Sequence, residues 1–201
     1  MSKVAVPLAV ALATAGALAE TTELSDEQVA WLTAIDSVPS RQQVDFVLNQ
    51  NGSGTPLEKL RNLTGDDGTD PGVRLRAVHA LAKYCGGDTT PCTATDDAHQ
   101  SLTALIAETT PATTGTDVLL LRAAVETIGP MRVSSDVGLL IPLLEHGSRD
   151  IRASTARALQ DLCNTQAITP LRSRYNREMT EQVKLAISEA LRILAQCSGS
   201  Q

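Results

Sequence analysis

The chain has 201 residues, a formal net charge of −6 with acids and bases interspersed, and four aromatic residues, Trp31, Phe46, Tyr84 and Tyr175. An acidic balance without a basic block argues against nucleic acid or an anionic membrane surface as the partner, since both require a basic face. Ala and Leu supply most of the apolar content, the composition expected where helices pack closely.

Met1-Ser2-Lys3 followed by the apolar run Val4 to Ala19, ending Ala17-Leu18-Ala19, has the layout of a secretory leader over 1–19 with a small-x-small cleavage site. The run is short of the about 20 apolar residues that span a bilayer. The mature chain is therefore expected to be exported, periplasmic or extracellular, without membrane insertion. Residues 20–52 read as an N-terminal capping helix pair. Ser25 or Asp26 caps a first helix with Val29, Leu32 and Ile35 as its apolar stripe, and Pro39-Ser40 opens a second through Val44, Val47 and Leu48. Trp31, beside Leu32, reads as core rather than as a ligand-stacking residue.

Residues 53–201 form a domain of helix pairs, near 55–85, 93–131, 135–163 and 166–197. In the first pair Pro56 to Leu63 is a short helix. Asp66-Asp67-Gly68-Thr69-Asp70 lacks the ligand spacing and the bidentate Glu of a calcium loop, so it reads as a turn ending in an N-cap, with Pro71 at N1. In the second, Thr93 to Ala107 and Asp117 to Ile128 flank a Thr-rich loop over 108–116, a second place where a partner could touch. In the third and fourth, Ser135-Asp136 and Thr180 are N-caps, and Pro142 and Pro170 are expected to kink the helices that hold them.

The second helices of these pairs superimpose on one template. Anchored at Val73, Leu120, Ile151 and Val183, offset four holds Ala77, Ala124, Thr155 and Ile187, and offset seven holds Ala80, Thr127, Ala158 and Ala190. Offset eight holds Leu81, Ile128, Leu159 and Leu191, and offset eleven Tyr84, Met131, Leu162 and Leu194. Offsets 0, 4, 7, 8 and 11 share one helix face, and recurrence at intervals of 47, 31 and 32 residues is a repeat.

Four cysteines in an exported chain suggest two disulfides. Cys163 at offset twelve and Cys197 at offset fourteen fall at the ends of successive equivalent helices, which leaves Cys85 to pair with Cys92 across a short loop. A Cys-based metal site is disfavoured, because Cys-x6-Cys is not a ligand spacing and His79, His99 and His146 are scattered.

Asp70-Pro71-Gly72-Val73-Arg74 through Ala80-Leu81, Asp150-Ile151-Arg152 through Ala158-Leu159, and Pro142 and Pro170 before their partner helices resemble HEAT repeats over roughly 55–196. The resemblance implies an all-α fold, a right-handed α-solenoid of stacked antiparallel helix pairs whose inner helices line a protein-binding concavity. It also implies capping and cross-linking roles for Asp70, Asp150, Arg74 and Arg152. Leu121 replaces the arginine in the second pair.

Offset six, opposite the apolar stripe, carries His79, Glu126, Arg157 and Glu189, flanked by Lys83, Gln160, Asp161 and Arg192. Alternating sign suits an ion-pair ladder between repeats or a binding stripe. No nucleophile elbow, phosphate-cradling loop or His-x3-His pair is present. The reading is a non-catalytic protein–protein interaction module or scaffold, needing no cofactor, that is monomeric and binds an unknown protein or peptide. A small enzyme at His79/Glu126/Arg157 and a purely structural envelope component are the alternatives. Leu191 to Leu194 is the place where solenoid ends could stack into dimers.

Overall fold

The computed structural model describes residues 39–50, 53–87 and 90–197, together with Ser25 and Val29. The expected leader, Trp31 and most of the first capping helix lie outside the described residues. Among the described residues the fold is all-α and without strands. Helices α1 (Arg41–Leu48), α2 (Pro56–Gly65), α3 (Pro71–Leu81), α4 (Asp97–Thr109) and α5 (Gly115–Ile128) form its first part. Helices α6 (Val137–Leu140), α7 (Arg149–Leu162), α8 (Ile168–Arg177) and α9 (Glu181–Cys197) complete it. None of these helices is long and apolar enough to cross a membrane.

Local chemistry sets several helix starts. Ser40 and Thr55 close capping boxes with Gln43 and Glu58, each side chain satisfying the other residue's backbone N–H. The Asp70 carboxylate accepts the N–H groups of Gly72 and Val73, and Pro71 at N1 has no donor to waste. Asp66 folds the preceding turn by accepting from the Gly68 N–H and the Thr69 hydroxyl, so the acidic run is a turn and a cap, as expected. Asp150, by contrast, is not a cap. Ser148 holds that position, and Asp150 sits in the first turn of α7, where a carboxylate opposes the positive end of the helix dipole. Ser135 and Asp136 form a 3-10 turn before α6 instead of a side-chain cap.

The two prolines behave differently. At Pro142 the α-helix has already ended, and the chain continues as a 3-10 turn over Ile141–Glu145. Pro170 falls in the first turn of α8, where a backbone N–H has no helical partner, so it starts the helix rather than kinking it.

The helices pack as pairs: α2 with α3, α4 with α5, 137–145 with α7, and α8 with α9. The second members then stack in chain order, α3 on α5, α5 on α7 and α7 on α9, and α2 touches α4 on the covering side. Every template position is buried except Met131 and Leu191, which are partly buried. Small residues at offset four, Ala77, Ala124 and Thr155, let the stacked helices approach closely. Contact is tightest at Gly129, where a Cβ would lie 2.7 Å from the Ala158 Cα. Leu121, in the place of the arginine, is wholly buried in the core. Leu194 is wholly buried as well, while Leu191 and Ile193 beside it are partly buried.

Polar links fasten the pairs. Arg74 donates to Asp67 and to the Thr64 carbonyl within its own pair. Arg152 reaches further, to the carbonyls of His146 and Gly147 and, through Nε and Nη2, to both oxygens of Glu178 at 2.8 and 3.0 Å. Glu178, between α8 and α9, is buried and also accepts from Arg174 and from the Met179 and Thr180 N–H groups. At the other end the Tyr84 hydroxyl donates to Asp45 at 2.7 Å, and the Arg41 guanidinium lies 5.0 Å from the ring centroid, tying α1 to the 3-10 turn that follows α3. Phe46 on α1 stands in solvent, so the capping helix is not polar throughout its outer face.

Disulfides join Cys85 to Cys92 and Cys163 to Cys197, with Cα separations of 4.9 and 5.7 Å. Gly86, at φ +71°, makes the first bridge possible, because a Cβ there would strike the Thr90 carbonyl at 2.5 Å. Two such bonds fit an oxidising compartment.

Two outcomes follow from this packing. Replacing Cys163 and Cys197 by Ser should cost roughly 2–4 kcal/mol in chemical denaturation, with Cys85–Cys92 still found in non-reducing peptide maps. Glu178→Ala should cost roughly 3–5 kcal/mol, because the buried Arg152 guanidinium loses its carboxylate and the partly buried Arg174 keeps only Glu145. The Arg152 hydrogen bonds, foremost among the causes, hold the Glu178 carboxyl well below its ordinary value of 4.5. That stability is present above about pH 4.5 and is lost as pH falls further, so the melting temperature of Glu178→Ala should depend less on pH in that acidic range than that of the parent chain.

Candidate functional site

Stacking and covering helices occupy most of the surface of α3, α5 and α7, which leaves one stripe of each to solvent. Between α3 and α5 this stripe opens into a cleft of about 370 Å³ lined by Leu75, Arg76, His79, Leu119, Arg122, Ala123 and Glu126. Helix register explains the set. Leu75 and Arg122 occupy offset two, His79 and Glu126 offset six, and Leu119 the residue before the anchor, all away from the packing stripe.

Of the residues expected to form a row, the cleft unites His79 and Glu126. Arg157 is exposed on α7 and Lys83 is exposed in the 3-10 turn Ala82–Tyr84. Gln160 and Asp161 are partly buried near the end of α7, where burial raises the Asp161 carboxyl above its ordinary value against the pull of Arg132. Glu189 and Arg192 pair with each other along α9 at 2.6 Å. The Arg122–Glu126 pair, at 2.8 Å, is likewise within one helix. These four do not form the expected ladder between repeats: their charges are neutralised along helices. What crosses from helix to helix here are hydrogen bonds with neutral partners rather than ion pairs, the Ser154 hydroxyl donating to Glu126 Oε1 at 2.8 Å and His79 Nδ1 meeting Thr127 Oγ1 at 3.0 Å.

The Thr127 hydroxyl already gives its proton to the Ala123 carbonyl at 2.7 Å. His79 must therefore donate from Nδ1, which leaves Nε2 as an acceptor. Burial, aided by the positive charges of Arg76 and Arg122 and opposed by Glu126, lowers the His79 imidazole below its ordinary range. The ring is thus neutral at physiological pH, a fixed acceptor beside two guanidinium groups.

Leu119, half exposed at 50%, and Leu75, partly buried, form the apolar wall of this cleft, and Leu185, 63% exposed, repeats the feature on α9. The sequence signal was available: leucines at the outward offsets of a template whose packing face is already full. A second cleft of about 530 Å³, between covering helices α2 and α4, is lined mostly by polar groups such as Glu58, Arg61, Asn62, Gln100 and Glu108. The Thr-rich loop shortens to 110–114 and is tethered, with His146 Nε2 donating to the Ala112 carbonyl at 2.9 Å.

Two further clusters bear on chemistry. His99 Nε2 lies 2.8 and 3.0 Å from the two oxygens of Asp136, both residues being buried, and burial raises the Asp136 carboxyl. Neither residue lines either cleft, so this pair joins α4 to the turn before α6. Among the described residues, Cys85, Cys92 and Asp96 form the one grouping with metal-ligating side chains in mutual reach. Its sulfurs are joined as a disulfide, and Asp96 already accepts from the Thr93 N–H and hydroxyl, so the donor set does not suit a metal ion.

No known family model matches the chain, and no curated protein matches it.

Proposed function

We propose that the chain is an exported, non-catalytic recognition module, a right-handed α-solenoid of HEAT-like helix pairs that binds a protein or peptide partner on the solvent face of α3, α5, α7 and α9. The observation that carries this reading is Leu119, half exposed in a concave site together with Leu75, where packing asks for no apolar side chain. Stacking of the second helices in chain order supports the solenoid, since each repeat then contacts only its neighbours. The leader-like 1–19 segment and the two disulfides support export. Against an enzyme stands the lining of the cleft: it presents no hydroxyl or thiol nucleophile, and Arg157 lies apart from His79 and Glu126.

Affinity capture from envelope and culture-supernatant extracts tests the reading. The parent chain should retain a specific partner that Leu119→Glu loses by at least tenfold, with the circular dichroism and melting of the variant unchanged. A partner held equally by both would move recognition to the 110–114 loop or the covering helices. Capture of nothing specific would favour a structural component of the envelope.

A further inference from the structure

Reading this face as a recognition surface leaves the chemistry of its partner open, and the charges of the cleft narrow it. Arg76 makes no hydrogen bond or ion pair with any described residue, and Arg122 commits its Nε alone, to Glu126 Oε1. Glu126 meanwhile takes the Ser154 hydroxyl on the same oxygen. One oxygen of the cleft's carboxylate thus takes two donors, whereas most of the guanidinium donors are unspent. The lining of the cleft is basic, two cations against one anion, on a chain whose net charge is −6, and Asp150 acts on Arg122 from outside the lining. Beside them stand Leu75 and Leu119, which a small hydrophilic anion would leave uncovered.

We propose that the cleft takes an acidic peptide segment, one carboxylate engaging Arg76 and Arg122 while a neighbouring aliphatic side chain packs on Leu75 and Leu119. A guanidinium fork matches a carboxylate in two parallel hydrogen bonds, and such charge-assisted bonds are the strong ones. A basic segment would bury like charges against Arg76, and an apolar segment would cover its donors without replacing their water. The neutral His79 ring supplies an acceptor for a backbone N–H of the segment and adds no third positive charge.

Selection of random dodecapeptides on the intact, oxidised chain tests this. The enriched pool should carry Asp or Glu next to Leu, Ile, Val or Met. A synthetic member should bind the Arg76→Gln, Arg122→Gln variant at least tenfold more weakly, and the same peptide with its acids changed to amides should bind the parent chain at least tenfold more weakly. Arg61→Gln, in the other cleft, should leave affinity unchanged. The second comparison alters only the peptide, so it stands even if the double variant misfolds. A pool that is basic or purely apolar, yet lost with Leu119→Glu, would overturn the acidic partner and keep the recognition surface. Acidic peptides that bind the double variant, folded by circular dichroism, as tightly as the parent would place their site elsewhere and overturn the proposal. A selection that enriches nothing would overturn the acidic-peptide proposal and leave the recognition surface to be decided by the capture experiment.

Discussion

The constraint on which the rest depends is that a stacked helix in this fold has neighbours on three sides. Helix α7 meets α5, α9 and the 137–145 segment, and from Ile151 to Ala156 it has no exposed residue. Such a helix cannot be amphipathic in the two-faced sense. It needs bulk toward its covering partner, small side chains toward its stacked neighbours, and polarity only along the remaining stripe. Ala153, Ala156 and Ala158, with Ser154 and Thr155, are the consequence. Gly129 is the same demand taken to its limit, because there even a methyl group would overlap the neighbouring backbone.

Close stacking fixes distance but does little to fix rotation, and here the buried polar groups contribute. Glu178 gathers six N–H donors from α7, α8 and the linker before α9, so the relative turn of the last two pairs is set by directional bonds rather than by apolar contact alone. Such a carboxylate stabilises only while every partner is in place, since an unpaired charge at this depth costs more than the pair gains. The Cys163–Cys197 bond acts on the same two helices from their far ends. Arg152 and the disulfide thus pin α7 and α9 at opposite ends, and this combination gives the C-terminal half two independent clamps.

The packing face and the cysteine pairing were legible in the sequence because both depend on register, and register is a property of spacing. Glu178 was not legible. It is one acid in a short linker, and its partners lie 26 residues before it on another helix and four before it on its own. The His99–Asp136 pair escaped for the same reason, its members standing 37 residues apart on elements whose contact the template does not describe. The candidate site was half legible: offset six holds His79 and Glu126, but charge alone does not point to Leu75 and Leu119, and Glu126 and Glu189 pair along their own helices, with Arg122 and Arg192, rather than across the row. Pro170 shows a different limit. A proline's effect depends on where in the helix it falls, and composition cannot say whether it stands in the first turn or the third.

A locally basic cleft on an acidic protein has a physical consequence for recognition. Screening confines each exposed charge to about 8 Å at physiological ionic strength, so within the cleft the field is that of Arg76, Arg122 and Glu126, with Asp150 acting on Arg122, rather than that of the whole chain. At longer range the net charge of −6 repels an acidic partner. Attraction on contact combined with weak repulsion at a distance gives no electrostatic steering, so encounter proceeds at the slower, unsteered rate and discrimination falls on the bound state. On the proposed reading, such a surface would reject acidic segments that lack the aliphatic neighbour, because the long-range term opposes them and only apolar contact with Leu75 and Leu119 restores the balance. The proposed selectivity therefore needs the leucines, which a reading of charge alone would miss, as much as the arginines beside them.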